Sequence, residues 1–178
     1  MEHVRFMPWI GSKYESGNRF GKRVLVLGES HYGDSSDANE DFTTFIVHKY
    51  GLPIGGGGFF AKVVKVLLQK DATIWLTAEE RAETWEHVAF YNYIQAFVGD
   101  GARQRPTHEM WLAAERPFME VVAALRPHLI LALGKELERR MPALPAEITV
   151  CNIQHPSTGF SYAKWNPRFA EALAMARA

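Results

Sequence analysis

The sequence predicts an α/β fold, a three-layer α/β/α sandwich around a central four-stranded, mostly parallel sheet. Short runs of apolar residues alternate along the chain with stretches of helical periodicity. Continuous apolar runs of this length are typical of strands that are buried on both faces, as in parallel sheets. The alternation of strands with helices favours parallel pairing, with a helical layer on either side of the sheet.

The predicted elements follow an irregular leader that spans residues 1–22. The predicted strands end at or near Gly28, Asn92, Leu133 and Ile153. Helices are predicted at 43–50, 59–68, from 77 onward, at 107–125, where Pro117 would break or restart the helix, and at 134–140. A last helix is predicted to begin at Pro167 with Asn166 as its N-cap, because proline suits the first helical position and asparagine suits the cap.

Composition predicts a single domain that spans residues 1–178 and carries a sizeable core. Its 20 basic and 20 acidic residues cancel, whereas a dedicated nucleic-acid-binding domain is usually basic. The single cysteine, Cys151, excludes an internal disulfide, a cysteine-rich zinc site and a cysteine-ligated iron–sulfur cluster. We therefore predict no metal and no cofactor. The sequence has neither a signal-peptide pattern nor a long apolar stretch, which predicts a cytoplasmic protein without membrane contact.

Polar side chains follow three of the predicted strands at their carboxyl ends. The first strand runs into a polar loop, Gly28–Gly33, the second carries an asparagine near its end, and the last is followed by a histidine and a serine. Ligands of parallel sheets collect just beyond these ends. The candidate site residues are therefore Glu29, Ser30, His31, Tyr32, Asn92, His155 and Ser157.

The order of these motifs resembles the uracil-DNA glycosylase superfamily. The polar loop Gly-Glu-Ser-His-Tyr-Gly (28–33) is similar to the first motif of that superfamily, and His155-Pro156-Ser157 matches its second motif. Phe90-Tyr91-Asn92 resembles the strand whose asparagine binds the flipped base, and 126–134 resembles a strand that several branches carry between the two sites. The resemblance extends from Arg23 to Ser157.

The resemblance implies a role for each matching residue. Glu29 would grip the base and position water, and Ser30 falls where the best-known branch has its water-activating aspartate. Gly28, Tyr32 and Asn92 would bind the base, with Tyr32 excluding a methyl group from the pocket. His155 would donate to the base oxygen O2 as the base departs. Ser157 would bind a phosphate of the DNA partner.

Additional DNA contacts are expected from residues near these motifs. A neutral protein needs local groups to bind phosphates, and Lys164, Arg168, Arg103 and glycine backbone amides are candidates. Phe160 or Tyr162 could wedge into the duplex, as apolar side chains do in other kinking proteins. The glycine run at 55–58 predicts a flexible turn that lets a ligand approach the backbone.

Two departures from the family pattern leave the activity open. Ser30 cannot act as a general base at neutral pH without a partner, and His31 replaces the usual proline. The absence of four cysteines separates the chain from the iron–sulfur branch. The chain could cleave the glycosidic bond, with Glu29 orienting water, or bind a base or nucleotide without cleavage.

Two other classes of function compete with the glycosylase interpretation. Gly28-Glu29-Ser30 also resembles the Gly-Asp-Ser loop of SGNH esterases, with Ser30 as nucleophile and His155 as its base. Asn152 would then stand where those enzymes have an aspartate, and asparagine cannot stabilise an imidazolium in the same way. The third class is a non-catalytic nucleotide- or nucleic-acid-binding module on the same fold.

Overall fold

The computed structural model describes residues 1–34, 36, 38–53, 58–99 and 104–177. The fold is α/β, with a five-stranded sheet and six α-helices in the described part of the chain. The strands are β1 (Trp9–Ile10), β2 (Val24–Gly28), β3 (Val88–Asn92), β4 (Leu129–Leu133) and β5 (Thr149–Ile153). The helices are α1 (Phe42–Ile46), α2 (Gly58–Leu67), α3 (Ala78–Glu86), α4 (His108–Leu125), α5 (Lys135–Arg140) and α6 (Tyr162–Met175).

The sheet contains one strand more than the four predicted. Its order is β1-β3-β2-β4-β5, and all neighbouring pairs are parallel except β1 with β3. The additional strand comes from the leader, where Trp9 and Ile10 pair antiparallel with Phe90 and Ala89. A strand of two residues is too short to show an alternating pattern, so the prediction of a fully irregular leader was wrong at this point.

Helices pack against both faces of the sheet. One apolar cluster joins α2, α3 and α6 to one face, which includes Val26, Phe90 and Leu131. A second cluster joins α4 and α5 to the opposite face, which includes Leu27 and Tyr91. Because strand side chains alternate between faces, each run of consecutive apolar residues supplies both cores. This explains why β2 and β4 have no polar side chains along their length.

The helix starts agree with the predictions at two caps and differ at the last helix. Thr77 and Glu80 form the predicted capping box of α3, and the Thr107 hydroxyl caps α4 by accepting from the Met110 amide at 3.3 Å. The last helix begins at Tyr162, so the prediction of Asn166 as its cap was wrong. The Asn166 amide instead donates to the Lys70 carbonyl at 3.0 Å, which ties α6 to the chain beyond α2.

Two further helical predictions differ in detail from the structure. Pro117 lies inside α4, which continues through it to Leu125. The helix predicted at 43–50 is α1 followed by a π-helical turn, Val47–Gly51. None of the helices in the described ranges is long and apolar enough to cross a membrane.

The parallel register places the carboxyl ends of four strands at one edge of the sheet. Gly28, the last residue of β2, pairs with Asn92, the last residue of β3. On the other side of β2, strand β4 pairs with it in parallel, and β5 pairs in turn with β4. The loops after β2, β3 and β5 therefore leave the sheet at the same edge, where the polar motifs were predicted.

Candidate functional site

The floor of the site is formed where β2 and β3 end. The ladder continues past both strands, since the Tyr93 amide donates to the Gly28 carbonyl at 3.0 Å and the Ile94 amide donates to the Glu29 carbonyl at 2.9 Å. The side chain of Asn92 lies across Gly28, so closely that a Cβ atom at Gly28 would lie 2.0 Å from Asn92 Oδ1. Only glycine at position 28 leaves room for this amide.

A buried histidine binds the amide of Asn92 from behind. Asn92 Nδ2 lies 3.0 Å from His31 Nδ1, and His31 Nε2 lies 3.0 Å from Thr43 Oγ1. The Phe6 and Phe42 rings lie nearly perpendicular to the imidazole, in a T-shaped arrangement. Burial lowers the pKa of His31 to about 3, so the ring is neutral at physiological pH. His31 thus orients Asn92 and has no free ring nitrogen for a ligand.

The turn that follows β5 holds His155 in one orientation. The Ser157 amide donates to His155 Nδ1 at 3.2 Å. A neutral imidazole with Nδ1 as acceptor carries its proton on Nε2. The Thr158 amide and hydroxyl donate to the His155 carbonyl at 3.0 and 2.8 Å. Lys62 Nζ of α2 donates to the Pro156 carbonyl at 2.6 Å. The His-Pro-Ser turn is therefore fixed both by its own backbone and by helix α2.

Asn92 and His155 lie on the same face of the sheet. Asn92 follows Phe90 by two residues, so both side chains point toward the face that α2 covers. The Phe59 ring of α2 lies 5.4 Å from the His155 ring and 6.5 Å from the Phe90 ring, measured between centroids. We use "the cleft" for the space bounded by Gly28, Asn92, Phe59 and His155.

Burial and two neighbouring cations disfavour the protonated form of His155. Burial lowers the pKa of His155 below its ordinary value, and the positive charges of Arg105 and Lys62 lower it further. A neutral ring with its proton on Nε2 is a hydrogen-bond donor that bears no charge. It can therefore donate to an oxygen that gains negative charge during a reaction.

The pKa of Glu29 shifts in the opposite direction to that of His155. Burial raises the pKa of its carboxyl group, the Arg105 charge opposes this, and Glu136 adds to it. Arg105 Nη1 lies 3.7 Å from Glu29 Oε1, with the arginine side chain 76% exposed and the glutamate side chain 11% exposed. Arg105 thus lowers the pKa of both Glu29 and His155. Because the arginine side chain is exposed, its ion pair with Glu29 contributes little to the stability of the fold.

The remaining predicted site residues lie in different surroundings. The Ser30 hydroxyl is buried and has no hydrogen-bond partner in the described part of the chain. Tyr32 is 38% exposed and borders solvent. Ser157 is exposed, with its amide engaged by His155. The structure thus packs Asn92 on Gly28 and places His155 against Phe59 on the same face of the sheet, whereas the Ser30 hydroxyl makes no hydrogen bond to His155.

Asn152 is separated from His155 by the sheet. Cys151 and Ile153 face the α2 and α6 side, so Asn152 between them faces the opposite side. There it lines an open groove of about 330 Å³ together with Glu138, Ile148 and Val150. Its Oδ1 is buried without a hydrogen-bond partner among the described residues. Asn152 therefore cannot orient the imidazole as the third member of a triad.

The expected DNA-contacting residues fall partly outside the described ranges. Gly55, Gly56, Gly57 and Arg103 lie outside them. Lys164 Nζ lies 4.6 Å from the centroid of the Trp165 ring. The ring centroids of Phe160 and Tyr162 are 5.3 Å apart, so these two rings contact each other. Lys62 Nζ lies 5.9 Å from the centroid of Phe160, which places this ring pair beside the His-Pro-Ser turn. The described residues include no group of three or more histidine, cysteine or acidic side chains placed to hold a metal ion.

Comparison with known proteins assigns no family to this chain. It matches no protein-family model, and no curated protein matches it in sequence. The resemblance to the uracil-DNA glycosylases therefore depends on the sequence motifs alone.

Sequence reasoning missed the residues that support the cleft from behind and from α2. His31 was listed among the candidate site residues but received no role, and Thr43, Phe59 and Lys62 were not singled out. An early signal for Phe59 and Lys62 was their spacing of three residues in a helix that follows a glycine run, which puts both on one helix face. The contact between His31 and Asn92 spans 61 residues and left no signal in the sequence.

Replacing Gly28 with Ala should displace the Asn92 amide. The added methyl group would overlap Oδ1, and overpacking of this kind costs about 1–3 kcal/mol of unfolding free energy. Chemical denaturation measures the loss. The matched control is Gly58→Ala at the start of α2, where an added Cβ meets no atom within 4 Å, and its stability should equal that of wild type or rise by up to about 1 kcal/mol. Equal stability of the two variants would contradict the close approach.

The burial of neutral His31 predicts a specific pH dependence of stability. The pKa of His31 falls from 6.5 to about 3 on folding, so between these values the unfolded chain binds a proton that the native protein does not. Stability is therefore lost as the pH falls below about 6.5. His31→Gln does not titrate, and its unfolding free energy should fall less steeply than wild type, by up to about 1.4 kcal/mol per pH unit between about pH 6 and 4. Parallel curves for the two proteins from denaturation series would show that His31 titrates normally.

Proposed function

We propose that this protein is a DNA N-glycosylase of the uracil-DNA glycosylase type, built on a three-layer α/β/α sandwich. It binds a deaminated or damaged base that has left the DNA stack and hydrolyses its N-glycosidic bond. The observation that carries the proposal is that Asn92 and His155 lie on one face at the carboxyl edge of the sheet, each held by a neighbour. Phe59 adds an aromatic surface to the same space.

The cleft supplies two kinds of groups that a base requires. The Asn92 side chain offers a fixed amide group to the hydrogen-bonding edge of a base, and an aromatic ring suits its flat face. A base-flipping enzyme must offset the cost of unstacking, about a few kcal/mol. Hydrogen bonds from a fixed amide contribute to this without ordering a flexible side chain.

His155 is the residue that we assign to the departing base. Breaking the bond between base and sugar leaves negative charge on the base and positive charge on the sugar ring. The Nε2–H group donates to the base oxygen as that charge develops, and the positive charges of Lys62 and Arg105 stabilise the same anion. Removing one such donor in other enzymes costs about 10²–10³ in rate.

Glu29 is the residue that we assign to the attacking water. It is the one carboxyl group of the polar loop after β2 (28–33), and it lies at the same edge as the cleft. Its negative charge also favours the positively charged sugar of the transition state. Ser30 receives no role in proton transfer, since its hydroxyl is buried without a partner.

The DNA backbone would be bound by local positive charge. The chain is neutral overall, but Lys62 and Arg105 both lie close enough to His155 to affect its pKa. Together with the exposed hydroxyl of Ser157, they form a small phosphate-binding edge beside the cleft. Binding through so few phosphate contacts should depend on salt only modestly.

The esterase alternative lacks both contacts that it requires. A serine nucleophile must bond to its base, and the Ser30 hydroxyl bonds to no described residue. The group that orients the base must reach the imidazole, and Asn152 lies on the opposite face of the sheet. We therefore favour the glycosylase over the esterase.

Wild-type protein should produce abasic sites in oligonucleotides that contain uracil or hypoxanthine, detected as strand breaks after alkali treatment. His155→Ala and Asn92→Ala should each lower the single-turnover rate about 10²-fold or more, because each removes a group that binds the base or stabilises its charge. The control is Ser30→Ala, which should retain the wild-type rate within a few fold.

Other results would redirect the assignment. Binding of the oligonucleotides without any strand breaks would identify a non-catalytic base-binding module. A large loss in Ser30→Ala, together with turnover of p-nitrophenyl acetate that Ser30 controls, would contradict the glycosylase and support the esterase. If the protein neither binds nor cleaves these oligonucleotides, both DNA functions are excluded.

A further inference from the structure

Two hydrogen bonds, one between Asn92 and His31 and one between His31 and Thr43, form a chain that we call the relay. The chemistry of its atoms determines which group donates in each bond. The nitrogen of a side-chain amide donates and does not accept, so His31 Nδ1 is the acceptor in the 3.0 Å contact with Asn92 Nδ2. A neutral imidazole has a single N–H, which must then lie on Nε2 and point to Thr43 Oγ1 at 3.0 Å. Thr43 is fully buried. Its hydroxyl is the acceptor that satisfies this N–H.

This direction determines which atom of Asn92 remains for a ligand. With Nδ2 turned to His31, the carbonyl oxygen Oδ1 lies over Gly28, at the floor of the cleft. No described residue donates a hydrogen bond to Oδ1. If the relay ran in the opposite direction, with Thr43 donating to Nε2 and Nδ1–H donating to Oδ1, the amide would be turned by half a rotation and would present Nδ2 instead.

The two orientations would select different bases. A ring nitrogen that carries hydrogen, as in uracil or hypoxanthine, needs an acceptor opposite to it. A ring nitrogen with a lone pair, as in cytosine or adenine, needs a donor. A site built to bond one pattern rejects the other, because mismatched buried polar groups are left without partners.

We propose that His31 and Thr43 are positioning residues that fix the Asn92 amide with Oδ1 toward the cleft and so select bases whose ring nitrogen carries hydrogen. The inference builds on the proposed function, because it assumes that the cleft receives a base. It adds residues that never touch the base and that nonetheless decide which base is bound. Hydrolytic deamination replaces the exocyclic amino group with a carbonyl oxygen, releases ammonia and leaves hydrogen on the neighbouring ring nitrogen. The relay would therefore separate uracil from cytosine and hypoxanthine from adenine, whereas thymine and guanine, which also carry a ring N–H, must be excluded by other contacts.

The buried surroundings favour a fixed relay over a flexible one. The imidazole packs edge-on against Phe6 and Phe42, with ring centroids 5.3 and 5.0 Å away. A ring flip would put Cδ2 and Cε1 in the places of Nδ1 and Nε2 and would break both hydrogen bonds. Since Thr43 and His31 are buried, water cannot replace the lost partners, and each unpaired group would cost about 1–3 kcal/mol.

Two substitutions at Thr43 separate hydrogen bonding from packing. Thr43→Val has nearly the same shape and removes the acceptor for Nε2–H. Thr43→Ser keeps the hydroxyl and removes a methyl group. If Thr43 only fills space, the valine variant should behave as wild type and the serine variant should be worse. The positioning role predicts the reverse order.

The readout is the ratio of two binding constants, measured without cleavage. The ligands are single-stranded oligonucleotides with one 2′-fluoro-2′-deoxyuridine or one 2′-fluoro-2′-deoxycytidine, since the fluorine disfavours positive charge on the sugar. Wild type should prefer the uridine ligand. Thr43→Val should lower that preference about tenfold, and Thr43→Ser should keep it within about twofold. An unchanged ratio in Thr43→Val, or an equal loss in both variants, would overturn the proposal.

A second measurement keeps the inference separate from the proposed function. Nitrogen-15 NMR of histidine-labelled protein shows which ring nitrogen of His31 carries the proton, without any DNA. If wild type binds neither oligonucleotide, the proposed function fails, and the tautomer then decides the orientation of Asn92 by itself. A proton on Nε2 in wild type and in Thr43→Ser supports the relay. A proton on Nδ1 in wild type overturns it.

Discussion

The contact between the Asn92 amide and the backbone of Gly28 is the constraint on which the cleft depends. Parallel pairing of β2 with β3 brings the two residues side by side, and glycine leaves the amide room to lie across the strand end. His31 then holds the amide from the buried side. A side chain at position 28 would push Asn92 away from the cleft and break its bond to His31. The position of the Asn92 amide, its packing on Gly28 and its hydrogen bond to His31 therefore depend on one another.

The electrostatics of the cleft follow from burial and from two cations. His155 and His31 are both neutral, but for different uses: His31 has both ring nitrogens engaged, whereas His155 keeps Nε2–H for a ligand. Lys62 and Arg105 disfavour an imidazolium at position 155 and at the same time favour an anion beside it. A neutral donor among positive charges suits a leaving group that gains negative charge. This arrangement arises in a chain without net charge, because charge placement decides a site more than charge balance does.

The sequence was sufficient for the parts of the fold that depend on local pattern. Buried strands, the capping box at Thr77 and the cap at Thr107 follow from short-range rules, and the parallel edge follows from the alternation of strands and helices. The two-residue strand at Trp9 and the true start of α6 were missed because partners distant in sequence decide them. The same holds within the site: strand ends identified Asn92 and His155, but the bond from His31 to Asn92 and the contact of Lys62 with Pro156 exist only in the folded chain.

The central claim is that Asn92 and His155 bind opposite parts of one base. A crystal structure of the protein with a single-stranded oligonucleotide that carries 2′-fluoro-2′-deoxyuridine tests it most directly. The account predicts the uracil ring against Phe59, with its N3 about 3 Å from Asn92 Oδ1 and its O2 about 3 Å from His155 Nε2. A uracil bound outside the cleft, or one that reaches only one of the two residues, would contradict it.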